Sequence, residues 1–176
     1  MPRNGNKRGA LDSDSPIYAV DANVLIDFQG VDLGIFTHVA NHLGDVLVSS
    51  QVVIDEVDGL TIKTCEELGI QVVDPAMGHL AFAQQSHGAL SFHDLLCFAL
   101  VRDRGGICVT NDKRLRRYCA ERGLEIRWGL RLLIELVEGG FLARKAAIGV
   151  AEEVCATNPM LGTEVFERFR DALRTS

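Results

Sequence analysis

The sequence predicts an α/β fold of three layers, with helices on both faces of a central parallel sheet of four to five strands and further helices at the C-terminal end. Two patterns carry this expectation. Short runs dominated by Val and Ile recur from Ile17 onward, and longer stretches with apolar residues at helical spacing separate them. Strands buried on both faces read as continuous β-branched runs, and strands that alternate with helices pair in parallel through crossover connections. Size agrees: 176 residues, 47% of them hydrophobic and 24% charged, suit one ordinary globular domain.

The elements follow in order. Residues 1–15 contain Arg3, Lys7 and Arg8 with no apolar segment behind them, so they predict a flexible arm and lack the core of a secretory signal. The first strand is expected over 17–21, then helices over 22–28 and 33–43. A second strand over 46–49 leads to helices over 51–57 and 62–68, the latter stopped by Gly69. The third strand, 70–73, precedes helices over 77–85 and 92–104, and Arg104-Gly105-Gly106 suits a C-terminal cap. The fourth strand, 107–110, is followed by a helix over 113–122 that ends at Gly123. A fifth strand over 124–128 and a helix over 129–138, ended by Gly139-Gly140, complete a domain spanning 16–140. Residues 141–176 form a helical extension expected to pack on it, with helices over 142–156 and 164–173 joined at Asn158-Pro159.

Composition narrows the function. No apolar run approaches the roughly 20 residues a membrane helix needs, so no membrane association is expected. Cys65, Cys97, Cys108, Cys119 and Cys155 form no CxxC pair, and they predict reduced packing or surface thiols in the cytoplasm. The net charge of -6 argues against a protein that grips nucleic acid over its whole surface. The distribution is uneven, however, because nine of the 18 Lys and Arg residues fall between Arg102 and Arg131.

Four acids stand out against this background. Asp21 and Asp112 each follow a predicted strand, at the edge where open α/β sheets place their ligands. If the first and fourth strands are neighbours, both carboxylates face one crevice. Asp94 opens a helix in Ser91-Phe92-His93-Asp94, and Glu56 belongs to Asp55-Glu56-Val57-Asp58. Each has a plainer reading. Asp21, Asn23, Asn111 and Asp112 precede helices and suit N-caps; Ser91 to Asp94 fits a capping box; Asp55, Glu56 and Asp58 fit a solvated acidic face. Independent caps need not converge, and carboxylates crowded at one site repel unless protonated or bridged by a hard cation such as Mg²⁺ or Mn²⁺.

The segments Val20-Asp21-Ala22-Asn23-Val24-Leu25, Ser91-Phe92-His93-Asp94-Leu95-Leu96 and Val109-Thr110-Asn111-Asp112 together resemble the PIN-domain nucleases, in order and spacing, from Ile17 to Val137. The resemblance implies a parallel sheet between helices, a metal-binding acidic pocket built by Asp21, Glu56, Asp94 and Asp112, and hydrolysis of RNA phosphodiester bonds. It also implies that Asn23 and Thr110 orient the acids or a water. Two features depart from the small ribonuclease toxins of toxin–antitoxin pairs: Asp55-Glu56-Val57-Asp58-Gly59-Leu60 looks more like RNA-processing PIN domains, and the extension after Gly140 is longer. A homodimer and an antitoxin-like protein inhibitor follow from the family as expected partners besides RNA.

On this reading one or two Mg²⁺ or Mn²⁺ ions lower the pKa of an attacking water and stabilise charge on the phosphate. Lys113, Arg114 and Arg117, immediately after Asp112, are the candidate substrate contacts. His38 and His42 lack a third metal ligand, His93 is expected to point away from the pocket, and Trp128 reads as core packing more than as a base-stacking ring. The alternative function is a catalytically silent PIN-like module that binds RNA or a protein. A response-regulator receiver lacks the Lys it needs after the fifth strand, and an Asp-nucleophile phosphatase lacks the second Asp, since Asn23 stands there.

Overall fold

The computed structural model describes residues 15–85 and 88–175. Apart from Ser15, the arm expected over 1–15 lies outside them. The chain forms β1 (Ile17–Val20), α1 (Ala22–Gln29), α2 (Gly34–His42), β2 (Asp45–Ser49), α3 (Ser50–Asp55), α4 (Ile62–Glu67), β3 (Ile70–Val73), α5 (Met77–Ala83) and α6 (Phe92–Arg104). It continues as β4 (Ile107–Val109), α7 (Lys113–Ala120), β5 (Glu125–Arg127), α8 (Arg131–Glu138), α9 (Arg144–Thr157) and α10 (Gly162–Arg174). Each expected element is present, with ends that differ by a few residues.

All five strands pair in parallel in the order β3-β2-β1-β4-β5. The order runs outward from β1 in one direction through β3 and in the other through β5, so the chain reverses its progress between β1 and β4. Their register sets Val20 against Val109. A doubly wound sheet opens its ligand crevice at the carboxyl ends of such a pair.

Successive side chains point to opposite faces of a strand, and the core divides accordingly. Tyr18, Val20, Val46, Val48, Ile107 and Val109 face one layer, where they pack with Leu25 and Phe28 of α1, Phe36 of α2 and Leu133 of α8. Ala147, Ala151 and Val154 of α9 and Phe169 and Leu173 of α10 are buried in the same cluster. Ala19, Leu47 and Cys108 face the other layer, against Cys97, Phe98 and Val101 of α6 and Leu115 and Cys119 of α7.

The small side chains of Ala19 and Cys108 let α6 lie close to the middle of the sheet. Asp94 lies three and seven residues before Cys97 and Val101, so it shares their buried face of α6. That register brings the start of α6 to the carboxyl edge of β1. At the far end Gly105 takes φ 71°, a left-handed cap that an L side chain adopts only with strain. Among the described residues no helix is long and apolar enough to cross a membrane.

Candidate active site

Asp21, Asp94, Asp112 and Glu56 line one cavity of about 440 Å³ together with Ala22, Asn23, Ile26 and Asp55. The cavity opens at the carboxyl ends of β1 and β4, where the chain order predicts it. Its acids are graded in depth. Asp21 is only 2% exposed and forms the floor, Asp94 and Asp112 are half-buried, and Asp55 and Glu56 sit at the exposed rim.

The capping readings hold alongside the shared cavity. Asp21 caps α1 by accepting the Ala22 N–H on Oδ1 at 2.9 Å. Asp112 caps α7, its Oδ1 accepting N–H groups of Arg114 and Leu115 at 2.6 and 2.9 Å. Ser91 and Asp94 form a reciprocal capping box: Asp94 N–H donates to Ser91 Oγ at 3.0 Å, and Ser91 N–H donates to Asp94 Oδ2 at 2.7 Å. These caps leave Oδ2 of Asp112 and Oδ1 of Asp94 outside them. A helix start can therefore fix the carboxylate by one oxygen and keep the other for a ligand.

The floor is held by a small polar network. Thr110, fully buried at the end of β4, donates its hydroxyl to Asp21 Oδ2 at 2.7 Å. The Asn23 amide donates to the same oxygen and, at 3.2 Å, to Thr110 Oγ1. Asn23 Oδ1 accepts the Asn111 N–H at 3.0 Å, and Thr110 Oγ1 accepts the Asp112 N–H at 3.1 Å. Asn23 and Thr110 thus tie the end of β1 to the turn after β4. Burial pushes the Asp21 carboxyl up to about 7, with the nearby charges of Asp94 and Glu56 adding to the rise against the Thr110 and Ala22 hydrogen bonds. Unlike charge at this cavity would relieve that repulsion.

His93 does not point away from the cavity, as helix spacing suggested. Its Nε2 lies 3.0 Å from Asp55 Oδ2 and its Nδ1 lies 3.1 Å from Glu56 Oε1. The reason is that α3 ends at Asp55, and Glu56, with φ -120°, leaves the helix. The two acids therefore meet the start of α6 from outside its axis. Burial raises the Glu56 pKa, His93 opposes the rise, and Asp94 and Asp55 add to it.

The basic candidates divide differently from the sequence reading. Arg114 donates to the Ala89 carbonyl at 3.2 Å, Arg117 lies 3.7 Å from Glu121, and Lys113 is exposed at the start of α7. Arg127 and Arg131 are engaged by Glu135, and Arg102 by Asp103. Much of the basic run is thus neutralised in the fold. His38 and His42 stack at 6.2 Å, and His42 stacks on Phe141 at 4.3 Å. Trp128 is half-buried against the core, with the Arg168 guanidinium 4.9 Å from its ring centre. Cys65, Cys97, Cys108 and Cys119 are buried free thiols, and Cys155 is half-buried.

One residue at this edge was not anticipated. Asp27, 6% exposed on α1, accepts the Asn111 amide on Oδ2 at 2.7 Å and the Asn158 amide on Oδ1 at 2.6 Å. It joins α1, the turn before Asp112 and the turn between α9 and α10. Its signal was a lone acid inside the apolar run Val24-Leu25-Ile26-Asp27-Phe28.

Among the described residues, no three His, Cys, Asp or Glu side chains have the spacing of a ready-made metal cage. The donor set nevertheless suits a hard cation: carboxylates only, two of them with an oxygen outside the caps, around a buried acid whose charge is disfavoured. The chain matches no family model and no curated protein. Among solved structures it is similar to a PilT N-terminus domain protein from the hyperthermophilic archaeon Sulfolobus solfataricus P2, with 11% identity and a TM-score of 0.49, over 68% of this chain and 92% of that one.

Proposed function

We propose that this chain is a PIN-type, metal-dependent endoribonuclease acting in the cytoplasm. The observation that carries the proposal is the shared cavity: acids from the end of β1, the end of α3 and the starts of α6 and α7 line one opening at the reversal point of the sheet. Asp21, Asp94 and Asp112, with Glu56, would hold Mg²⁺ or Mn²⁺. When bound, such a cation supplies Lewis acidity toward a phosphodiester and a more acidic attacking water.

The protein's own groups prepare this chemistry. Thr110 and Asn23 hold Asp21 on the floor, while caps at α6 and α7 fix Asp94 and Asp112 by their main chains. Ligands on rigid elements are positioned with less loss of entropy than ligands on loops. His93 holds Glu56 at the rim. Lys113 and Arg114, in the first turn of α7, would steer the phosphate backbone toward the acids, with Arg117 one turn further on.

Two measurements test the reading. Mn²⁺ titrated into wild type should give saturable heat that is lost in Asp94→Asn, and labelled RNA should be cut by wild type and not by that variant. A folded wild type that binds RNA without cutting it under Mg²⁺ or Mn²⁺ would instead establish the silent PIN-like module. A homodimer and an inhibitor masking the cavity belong to the same proposal, and light scattering reads the first directly.

A further inference from the structure

On the β5 side of the sheet stand two arginines from separate helices, Arg116 of α7 and Arg168 of α10, and among the described residues neither forms an ion pair. Arg116 lies one helical turn after Asp112, its N–H bonded to the Asp112 carbonyl at 3.0 Å. Its Nε is buried and, among the described residues, has no hydrogen-bond partner. A buried donor left unmade is costly, and water, an ion or an anionic ligand can satisfy it.

Arg168 reaches the same edge from α10, with its guanidinium over the Trp128 ring. Trp128 directly follows β5, and the next residue, Gly129, donates its N–H to Asn111 Oδ1 at 2.9 Å. A Cβ on Gly129 would stand 3.2 Å from that Asn111 side chain, so the two segments are in close contact. Asn111 immediately precedes Asp112, so the segment that carries Trp128 touches the turn that carries Asp112.

Burial lowers the Arg116 pKa, and the charge of Arg168 is the next cause, whereas Asp112 opposes it. Neighbouring cations behave otherwise: Arg127 and Arg131 share Glu135, and Arg117 and Arg122 lie near Glu121. Among the described residues neither Arg116 nor Arg168 has a carboxylate within ion-pair distance. The like charges of Arg116 and Arg168, carried by separate helices, oppose one another, and an anion between them would relieve the repulsion.

We propose that Arg116 and Arg168 form a phosphate subsite that grips the backbone of a single RNA strand beside the acid cavity, above the Trp128 ring. The α9–α10 extension is then part of the substrate surface, locked to the sheet edge through Asn158 and Asp27. Guanidinium forks match phosphate oxygens in geometry, and the Trp128 ring beneath Arg168 holds that fork in place. The inference rests on the nucleic-acid reading of the cavity but not on catalysis.

The test is RNA binding by the full chain in chelator, so that no strand is cut. Anisotropy of a labelled single-stranded RNA is followed across a salt series for wild type, Arg116→Gln, Arg168→Gln and the distant control Arg102→Gln. Each subsite variant should weaken binding on the order of tenfold. Each should also lower the slope of log Kd against log salt by about 0.7, the value for one phosphate contact on a single strand. Arg102→Gln should change neither, and RNA should quench the sole tryptophan in wild type. Arg116→Lys separates contact from misfolding, because it restores the slope only if charge at that point is what binds. Wild-type affinity and slope in both subsite variants, an equal loss in Arg102→Gln, or no RNA binding by wild type would overturn the proposal. RNA that is bound through both arginines yet never cut with Mg²⁺ or Mn²⁺ would sink the nuclease reading and leave the subsite in place.

Discussion

Thr110 and Asp21 are joined by a 2.7 Å hydrogen bond that links the carboxyl ends of β4 and β1 beneath the acid cavity. The threonine is fully buried, and its hydroxyl also accepts from the Asn23 amide and the Asp112 N–H. One side-chain oxygen thus touches three of the segments that build the site. Groups that hold a metal-binding carboxylate in this way commonly affect metal affinity by roughly 10 to 100-fold.

Thr110→Val keeps the shape and removes the hydroxyl. It is expected to weaken Mn²⁺ binding by about tenfold or more, read by calorimetric titration, while Thr110→Ser stays near wild type. Equal affinity in the valine variant would mean that Asp21 is held without Thr110.

Asp27 gives a prediction about stability. Asp27→Ala leaves the Asn111 and Asn158 amides without their shared acceptor, and urea unfolding should show a loss of about 2 kcal/mol. The α9–α10 turn should also exchange its amide hydrogens faster. Unchanged exchange there would show that Asp27 does not anchor the extension.

The same residue carries a pH signature. Burial raises its pKa in the folded protein above the ordinary value of 3.8, against the two amide hydrogen bonds. The folded state therefore holds this proton more tightly than the unfolded state. The associated stability is complete below the ordinary carboxylate range and is lost as pH rises through the higher folded value. Relative to Asp27→Asn, wild type should lose stability over that rise, as measured by urea midpoints on either side of it. A pH-independent difference would contradict the assignment.

His93→Ala should lower RNA cleavage by about tenfold, since it removes the contacts that hold Asp55 and Glu56 at the rim. The loss should be much smaller in a Glu56→Gln background, where there is no carboxylate left to position. Additive losses in a double-mutant cycle would separate the two residues.

The convergence of Asp21 and Asp112 was legible because both follow short β-branched runs, and parallel strands deliver such residues to one edge. Asp94 was legible through its capping box, since a helix start fixes a carboxylate whatever else it does. Glu56 was legible as an acid but not as a residue that leaves α3, and this is why the contact with His93 went unseen. Helical spacing describes neighbours on one helix and is silent about a second chain segment arriving at its end. Asp27 was hidden for a similar reason: its partners, Asn111 and Asn158, lie far away in sequence on turns. The basic run was legible as a density of charge but not in its pairing, because Glu135 and Glu121 meet members of it only after the chain folds.

The most direct measurement is cleavage of labelled single-stranded and structured RNA by wild type and by Asp112→Asn, with Mg²⁺, with Mn²⁺ and with chelator. Cleavage is expected with either cation and none in chelator, with a fall of at least about a hundredfold in a variant that still folds and still binds RNA. Cleavage that survives chelator, or that Asp112→Asn performs as well as wild type, would contradict the nuclease reading.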